Sequence, residues 1–260
     1  MICKICSKIT KSVFSAKIIN KYKINYFHCN NCNFLFTEEP YWIEEVYSSP
    51  ISKFDTGHIQ RNIKISKQLI TLLSLFFKSK KSFVDYAGGN GILVRLMRDN
   101  GFDFFWKDKY ALNLFSECFE WIPSSDHEIE AVTAIECFEH FVNPLDEIDK
   151  IISISKNVIF TTELLPDPIP NPHDWWYYSL ERGGHISFYS TQTLKYIAKL
   201  YKLNYFNLNN LHIFTEKKNI SNFKLKILKL NKFGLYKLIN LNQKSKTWND
   251  YQSVKKRSEK

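Results

Sequence analysis

The strongest constraint on this chain lies at Val84-Asp85-Tyr86-Ala87-Gly88-Gly89-Asn90-Gly91, where an apolar stretch passes an acidic residue and enters a glycine-rich turn. A helical pattern follows, Ile92-Leu93-Val94-Arg95-Leu96-Met97. Strand, glycine turn and helix in that order form a nucleotide-type binding loop. Glycines let the backbone approach a ligand closely, and the first N–H groups of the helix lie beside it. The glycines fall at 88, 89 and 91, so the G-x-G-x-x-G dinucleotide spacing is not met. Asn100-Gly101 stops the helix over 92–99, and Phe102–Trp106 reads as a second strand ending at Lys107-Asp108-Lys109. A carboxylate at that strand end can accept the ribose hydroxyls of an adenosine, which makes Asp108 a candidate ligand contact.

The α/β alternation continues. Ala111–Trp121 reads as a helix and Ile129–Ile135 as a strand. Asn143-Pro144 opens a helix through Ile152, and Lys156–Thr162 is a further strand. Leu194–Leu200 is a helix, and Tyr205–Leu208 with Leu211–Phe214 makes a hairpin across Asn209-Asn210. Strands alternating with helices imply an α/β fold with a mostly parallel sheet flanked by helices. Ligands of such sheets bind at the strands' C-terminal ends. Asp85, Asp108, Glu136 and His140 all fall near those ends.

Four of the six cysteines form two pairs, Cys3-x-x-Cys6 and Cys29-x-x-Cys32, with 22 residues between them. Two such turns can present four thiolates to one tetrahedral ion, so a structural Zn2+ site is expected at Cys3, Cys6, Cys29 and Cys32. All four ligand positions are filled, which leaves none for catalysis. Disulfides or free thiols are the alternatives, and a reducing cytoplasm disfavours the first. His28 lies beside Cys29 but is not needed as a ligand. Cys118 and Cys137 have apolar surroundings and read as core.

Charge is segregated. The first 36 residues hold six lysines and no acid, residues 217–260 are strongly basic, and residues 37–216 are net negative within a total of +10. An acidic central region argues against a nucleic-acid substrate. No run of about 18 apolar residues suggests a membrane span. The N-terminus lacks the apolar centre of a secretory signal, so a cytoplasmic location is expected.

Taken together, these pieces resemble a family. The loop matches the first motif of class I S-adenosylmethionine-dependent methyltransferases, an acidic residue followed by G-x-G-x-G. Asp85 stands at the acidic position and Ala87, Gly89 and Gly91 at the glycines. Residues 1–216 resemble bacterial class I methyltransferases that carry an N-terminal four-cysteine zinc unit and often act in sugar or surface-polysaccharide pathways. The matching pieces are the four cysteines, Asp55–Asn62, Asp85–Gly91, Ile135-Glu136-Cys137-Phe138-Glu139-His140 and Gly183-Gly184-His185-Ile186-Ser187-Phe188-Tyr189-Ser190.

The resemblance implies a Rossmann-like sheet, S-adenosylmethionine as methyl donor and a small-molecule acceptor, a sugar or nucleotide sugar. Cofactor contacts are expected from Asp85, Ala87, Gly88, Gly89, Gly91, Asp108 and Glu136. Zinc-bearing deoxysugar C-methyltransferases match His185 as well, but Gly184 stands where they have glutamate, so their ketosugar chemistry is not assigned. Where those enzymes carry a further C-terminal domain, a short basic tail is expected here.

Methyl transfer needs alignment of the acceptor and removal of its proton. His185 on its Gly-Gly approach is the first candidate base, and His140 competes or shapes the cofactor site with Glu139. Tyr47 and His58 belong to the segment preceding the sheet and could reach over the site, a placement the sequence alone does not fix. The proline-rich connection 164–184 carries Trp175, Trp176, Tyr177 and Tyr178, which either contact a sugar face or anchor the loop.

Three regions are expected: a zinc-binding module at 1–40, a methyltransferase domain at 41–216 and a basic tail at 217–260. The tail places apolar residues among lysines over 222–241. It lies either on an anionic membrane or against the domain, and residues 244–260 are expected to be mobile. Two further functions stand beside the enzyme reading. One is a zinc-containing scaffold that has lost catalysis, and the other is a nucleic-acid methyltransferase.

Overall fold

Short apolar runs bounded by glycine, asparagine and proline produce short elements. A computed structural model describes residues 1–47, 55–123, 127–241 and 243–259. In chain order they are β1 (Lys11–Ile18), β2 (Tyr22–Cys29), β3 (Phe34–Thr37), α1 (Ile43–Tyr47), α2 (His58–Phe76), β4 (Ser82–Tyr86), α3 (Ile92–Asp99) and β5 (Asp103–Lys107). β6 (Ile129–Ala134), α4 (Pro144–Ile154), β7 (Val158–Thr161), β8 (Ser187–Phe188), α5 (Thr191–Leu200), β9 (Asn204–Leu208) and β10 (Leu211–Thr215) follow. The chain then forms α6 (Asn222–Leu225), α7 (Leu235–Ile239) and α8 (Thr247–Ser258), with 3-10 turns at Phe138–His140, Trp176–Tyr178 and Lys226–Phe233.

The fold is mixed α/β, in two units of two chain segments each: Met1–Phe54 with Ile135–Glu216, and Asp55–Ala134 with Lys217–Lys260. In the second unit β4 pairs in parallel with β5 on one side and β6 on the other. Both β4 and β6 are buried almost throughout, as strands covered on both faces must be. α3 connects β4 to β5 and buries Leu93, Val94 and Met97 on one stripe. In the first unit β10 runs against both of its neighbours, β7 and β9, so those two run the same way. A separate antiparallel sheet has the order β1-β2-β3-β8. Behind it Tyr26, Trp42, Tyr177, Tyr178 and Phe188 form a buried aromatic core.

The helix expected at Ala111–Trp121 is absent. The backbone N–H groups of Leu114 and Phe115 donate to Asn90 O at 3.1 and 3.0 Å, and Asn113 Oδ1 accepts from Ser116 N at 3.1 Å. Those donors are therefore taken by local partners. The segment then returns to pair Glu120 with Trp106.

The end of the chain also departs from expectation. Residues 247–258, expected to be mobile, form α8, whose Asp250 is buried against Arg98. Residues 222–241 form short helical pieces instead of one amphipathic helix. Leu225 and Leu228 are buried, and Asn231 Oδ1 accepts from Thr71 Oγ1 of α2 at 2.6 Å. Among the described residues no helix is long and apolar enough to cross a membrane.

Candidate functional site

In the second unit, the end of β4 delivers Asp85 into the interior at 3% exposure. Its Oδ1 accepts from Thr133 Oγ1 of β6 at 2.6 Å. Burial raises its pKa to about 7; the Asp108 charge adds to this, and the Thr133 hydrogen bond opposes it. The loop that follows turns through left-handed backbone at Ala87, Gly89 and Gly91. A side chain at Gly91 would collide with Ser116 and Asn113, and one at Gly88 would press on Asp85 and Trp106. The space beside Gly89 is open, which suits backbone approached by a ligand.

Asp108 braces this loop. Its Oδ2 accepts from Gly89 N at 2.9 Å, and its Oδ1 accepts from Tyr110 N and Ala111 N at 2.7 and 2.9 Å. These bonds take three of about four acceptor positions on the carboxylate, leaving room on Oδ2 for one hydroxyl. Trp106 Nε1 donates to Gly89 O at 2.8 Å and Asn90 Nδ2 to Leu112 O at 3.1 Å, so the loop is held on both sides. His58 opens α2 beside Asp55, which also receives both guanidinium nitrogens of Arg61. Tyr47 ends α1, and its side chain lies outside the described residues.

In the first unit, Glu136 adopts a left-handed backbone and pairs doubly with Thr161: its N–H donates to Thr161 Oγ1, and its Oε1 accepts from that hydroxyl. Such a conformation in a non-glycine residue is costly and concentrates at functional positions. The 3-10 turn after it buries Glu139 completely and presents His140. His140 Nδ1 donates to Gly184 O at 2.8 Å, and His185 Nδ1 donates to Tyr177 O at 2.7 Å. The two rings lie 5.0 Å apart at 81°. A carbonyl only accepts, so Nδ1 carries the proton in each ring and Nε2 holds the lone pair of the neutral form. Burial lowers the His140 pKa to about 4.

The aromatic connection separates by exposure. Tyr177 and Tyr178 are buried, with hydroxyls bonded to Thr162 Oγ1 and Pro170 O, and Trp175 is packed against the same core. Trp176 projects outward at 73% exposure.

A family model described as "Methyltransferase domain" matches residues 58–207, more than half of the chain. The chain belongs to the methyltransferase domain family. The matched region holds the Asp85 loop, Asp108, Glu136 and both histidines. No curated protein sequence matches it. Solved structures resembling this methyltransferase include TnmH, at 12% identity, with a TM-score of 0.46 over 66% of this chain and 60% of TnmH. An O-methyltransferase family protein from Burkholderia thailandensis gives 13%, 0.44, 68% and 68% for the same quantities. Magnesium protoporphyrin IX methyltransferase (ChlM) from Synechocystis PCC 6803, solved with SAH, gives 11%, 0.45, 67% and 93%.

The methyltransferase also gathers its four paired cysteines. Cys3 Sγ lies 3.6 Å from Cys32 Sγ, Cys6 Sγ lies 3.4 Å from Cys29 Sγ, and all four lie within 4.8 Å of one another. Sulfurs at the corners of a zinc tetrahedron with bonds of about 2.3 Å are separated by about 3.8 Å, so the donor set fits that ion. Both turns close alike: Ser7 N donates to Cys3 O and Asn33 N to Cys29 O, each donor residue being left-handed. The hydrogen bond between Cys3 and Cys32 lowers the Cys3 pKa to about 5 and raises that of Cys32. His28 turns away to Asn33 Oδ1. Thr193, at the start of α5, donates to Cys32 O and Asn33 O and so fixes the second turn.

Sequence reasoning missed Thr133, Trp106, Asn90, Thr161 and Thr193 as organising residues. A threonine in a β-branched strand gives no sign of which neighbour its hydroxyl will meet. Asn90, inside the glycine loop, was the one with a local signal.

Proposed function

We propose that this methyltransferase transfers the methyl group of S-adenosylmethionine to a small hydroxylated acceptor, a sugar or nucleotide sugar of surface-polysaccharide biosynthesis. The observation that carries the reading is the Asp108 brace on Gly89, which sets an open glycine backbone and two carboxylates at the ends of adjacent parallel strands. Asp85 is assigned to the positive side of the cofactor and Asp108 to a ribose hydroxyl. The donor supplies a sulfonium leaving group, so the chain's own tasks are to align the acceptor and handle its proton. Proton removal is assigned to the cluster around His185, with His140 beside it. Trp176 is assigned to an acceptor face, because its ring is exposed while Tyr177 and Tyr178 anchor the connection. The four cysteines are assigned a structural zinc in a reducing, cytoplasmic setting.

The test is calorimetric titration with S-adenosylhomocysteine, followed by transfer of labelled methyl to a panel of nucleotide sugars. Micromolar binding, about −8 kcal/mol, lost in Gly89→Arg, is the expected result. Label on nucleic acid instead of sugars would reassign the acceptor. Absence of binding by the folded parent would leave a scaffold.

A further inference from the structure

Glu139, His140 and His185 all belong to the first unit. Each offers one ligand atom, and the three atoms lie within 4.8 Å of one another. Both rings are set from behind by main-chain carbonyls, His140 by Gly184 O and His185 by Tyr177 O. That arrangement fixes the tautomer and leaves Nε2 as the nitrogen able to ligate, as the outer-shell partners of metal-bound imidazoles do. The ring centroids lie 5.0 Å apart and the ring planes stand at 81° to each other.

The backbone leaves room for this geometry. A Cβ on Gly184 would lie 3.3 Å from His140 Cε1 and Nδ1, so glycine there allows the carbonyl to reach the ring without displacing it. The Tyr177 carbonyl is held by a residue that is itself buried and bonded to Thr162. Glu139 is fully buried, an environment in which carboxylates are kept by charge partners or by metal coordination.

We infer that Glu139, His140 and His185 form a site for a borderline divalent transition-metal ion, separate from the four-cysteine site. Two imidazoles and one carboxylate suit Zn2+, Co2+, Ni2+ or Fe2+ better than Mg2+ or Ca2+, which favour oxygen. The two sites differ in kind. Four thiolates close the coordination sphere, whereas three protein ligands leave positions for water or a hydroxyl oxygen. On the proposed reading of a hydroxylated acceptor, a hydroxyl oxygen bound there would be acidified and pass its proton to solvent water, and His185 would act as ligand instead of base. Metal binding itself rests only on the geometry of the first unit and stands whether or not that reading holds.

The test fills the cysteine site with zinc and titrates the full chain with Co2+. One further equivalent is expected, with visible d–d absorption and without thiolate-to-cobalt charge transfer. Two exchangeable, paramagnetically shifted proton signals should appear from the Nδ1–H groups. Glu139→Gln and His185→Gln should each weaken this binding by tenfold or more while the melting curve without cobalt stays cooperative. No second equivalent, a charge-transfer band, or unchanged binding in both variants would overturn the site. The proton signals test the parent protein directly, so misfolding of a variant does not remove the test.

Discussion

Asp85 is pulled in two directions. Its burial favours the neutral acid, while the role proposed for it beside a cationic cofactor needs the carboxylate. The folded pKa of about 7 lies above the unfolded value of 3.8, so this residue favours the fold at low pH. That advantage is lost as pH rises from about 4 through 7, where the unfolded chain releases the proton first. Asp85→Asn removes the penalty. It should match the parent near pH 4 and exceed it at pH 8 by up to about 4 kcal/mol, read from urea unfolding at both pH values. The same variant should lose S-adenosylhomocysteine binding at least tenfold. Equal stability at pH 8 would contradict the raised pKa. The position of Asp85 was legible because a lone acid ended an apolar run before glycines. Its partner Thr133 was not, since a strand pattern fixes the face of a side chain and not the atom it meets. Ala87 shows the same limit: it sits in left-handed backbone that glycine would adopt more readily.

At the scale of elements, the readings that held had a start signal, a period and a stop. α3 follows the glycine loop and ends before Asn100-Gly101, α4 begins at Asn143-Pro144, and the β9–β10 hairpin turns at Asn209-Asn210. Ala111–Trp121 had apolar content but no committed start, and its amide groups were claimed by Asn90 and Asn113. α8 was missed for the opposite reason: its sequence is polar, and it is held by polar contacts, the buried pairing of Asp250 with Arg98 and Arg95 and the bonds from Thr247 to Asp99 and from Arg257 to Cys118 O. Asp250 Oδ1 and Oδ2 meet Arg98 Nη2 and Nε at 2.8 Å, and Arg95 also reaches Oδ2. Asp250→Ala should destabilise the protein by about 3 kcal/mol, because it leaves a buried guanidinium with less charge compensation. Arg98→Met combined with Asp250→Leu should recover most of that loss. A cost below about 0.5 kcal/mol for Asp250→Ala would mean that the pair behaves as a surface bridge.

For the molecule as a whole, charge and exposure coincide in the basic tail. Phe223, Phe233, Leu238 and Leu241 are exposed among lysines whose signs no acid in 217–241 offsets. The protein should sediment with anionic vesicles and not with zwitterionic ones, and added salt should release it. Phe233→Ser with Leu238→Ser should weaken this binding without changing cofactor affinity, and equal sedimentation with both vesicle types would discard the reading. The division into two units carries a different consequence. Each unit is made of an early and a late segment, interleaved along the chain. A ribosome that has delivered residue 200 has supplied both cysteine turns and Thr193, yet Arg98 still awaits Asp250. Neither unit can be cut out at a single junction, and residue 250 must be made before the buried Arg98, already beside Asp103, gains its two-pronged partner inside the second unit.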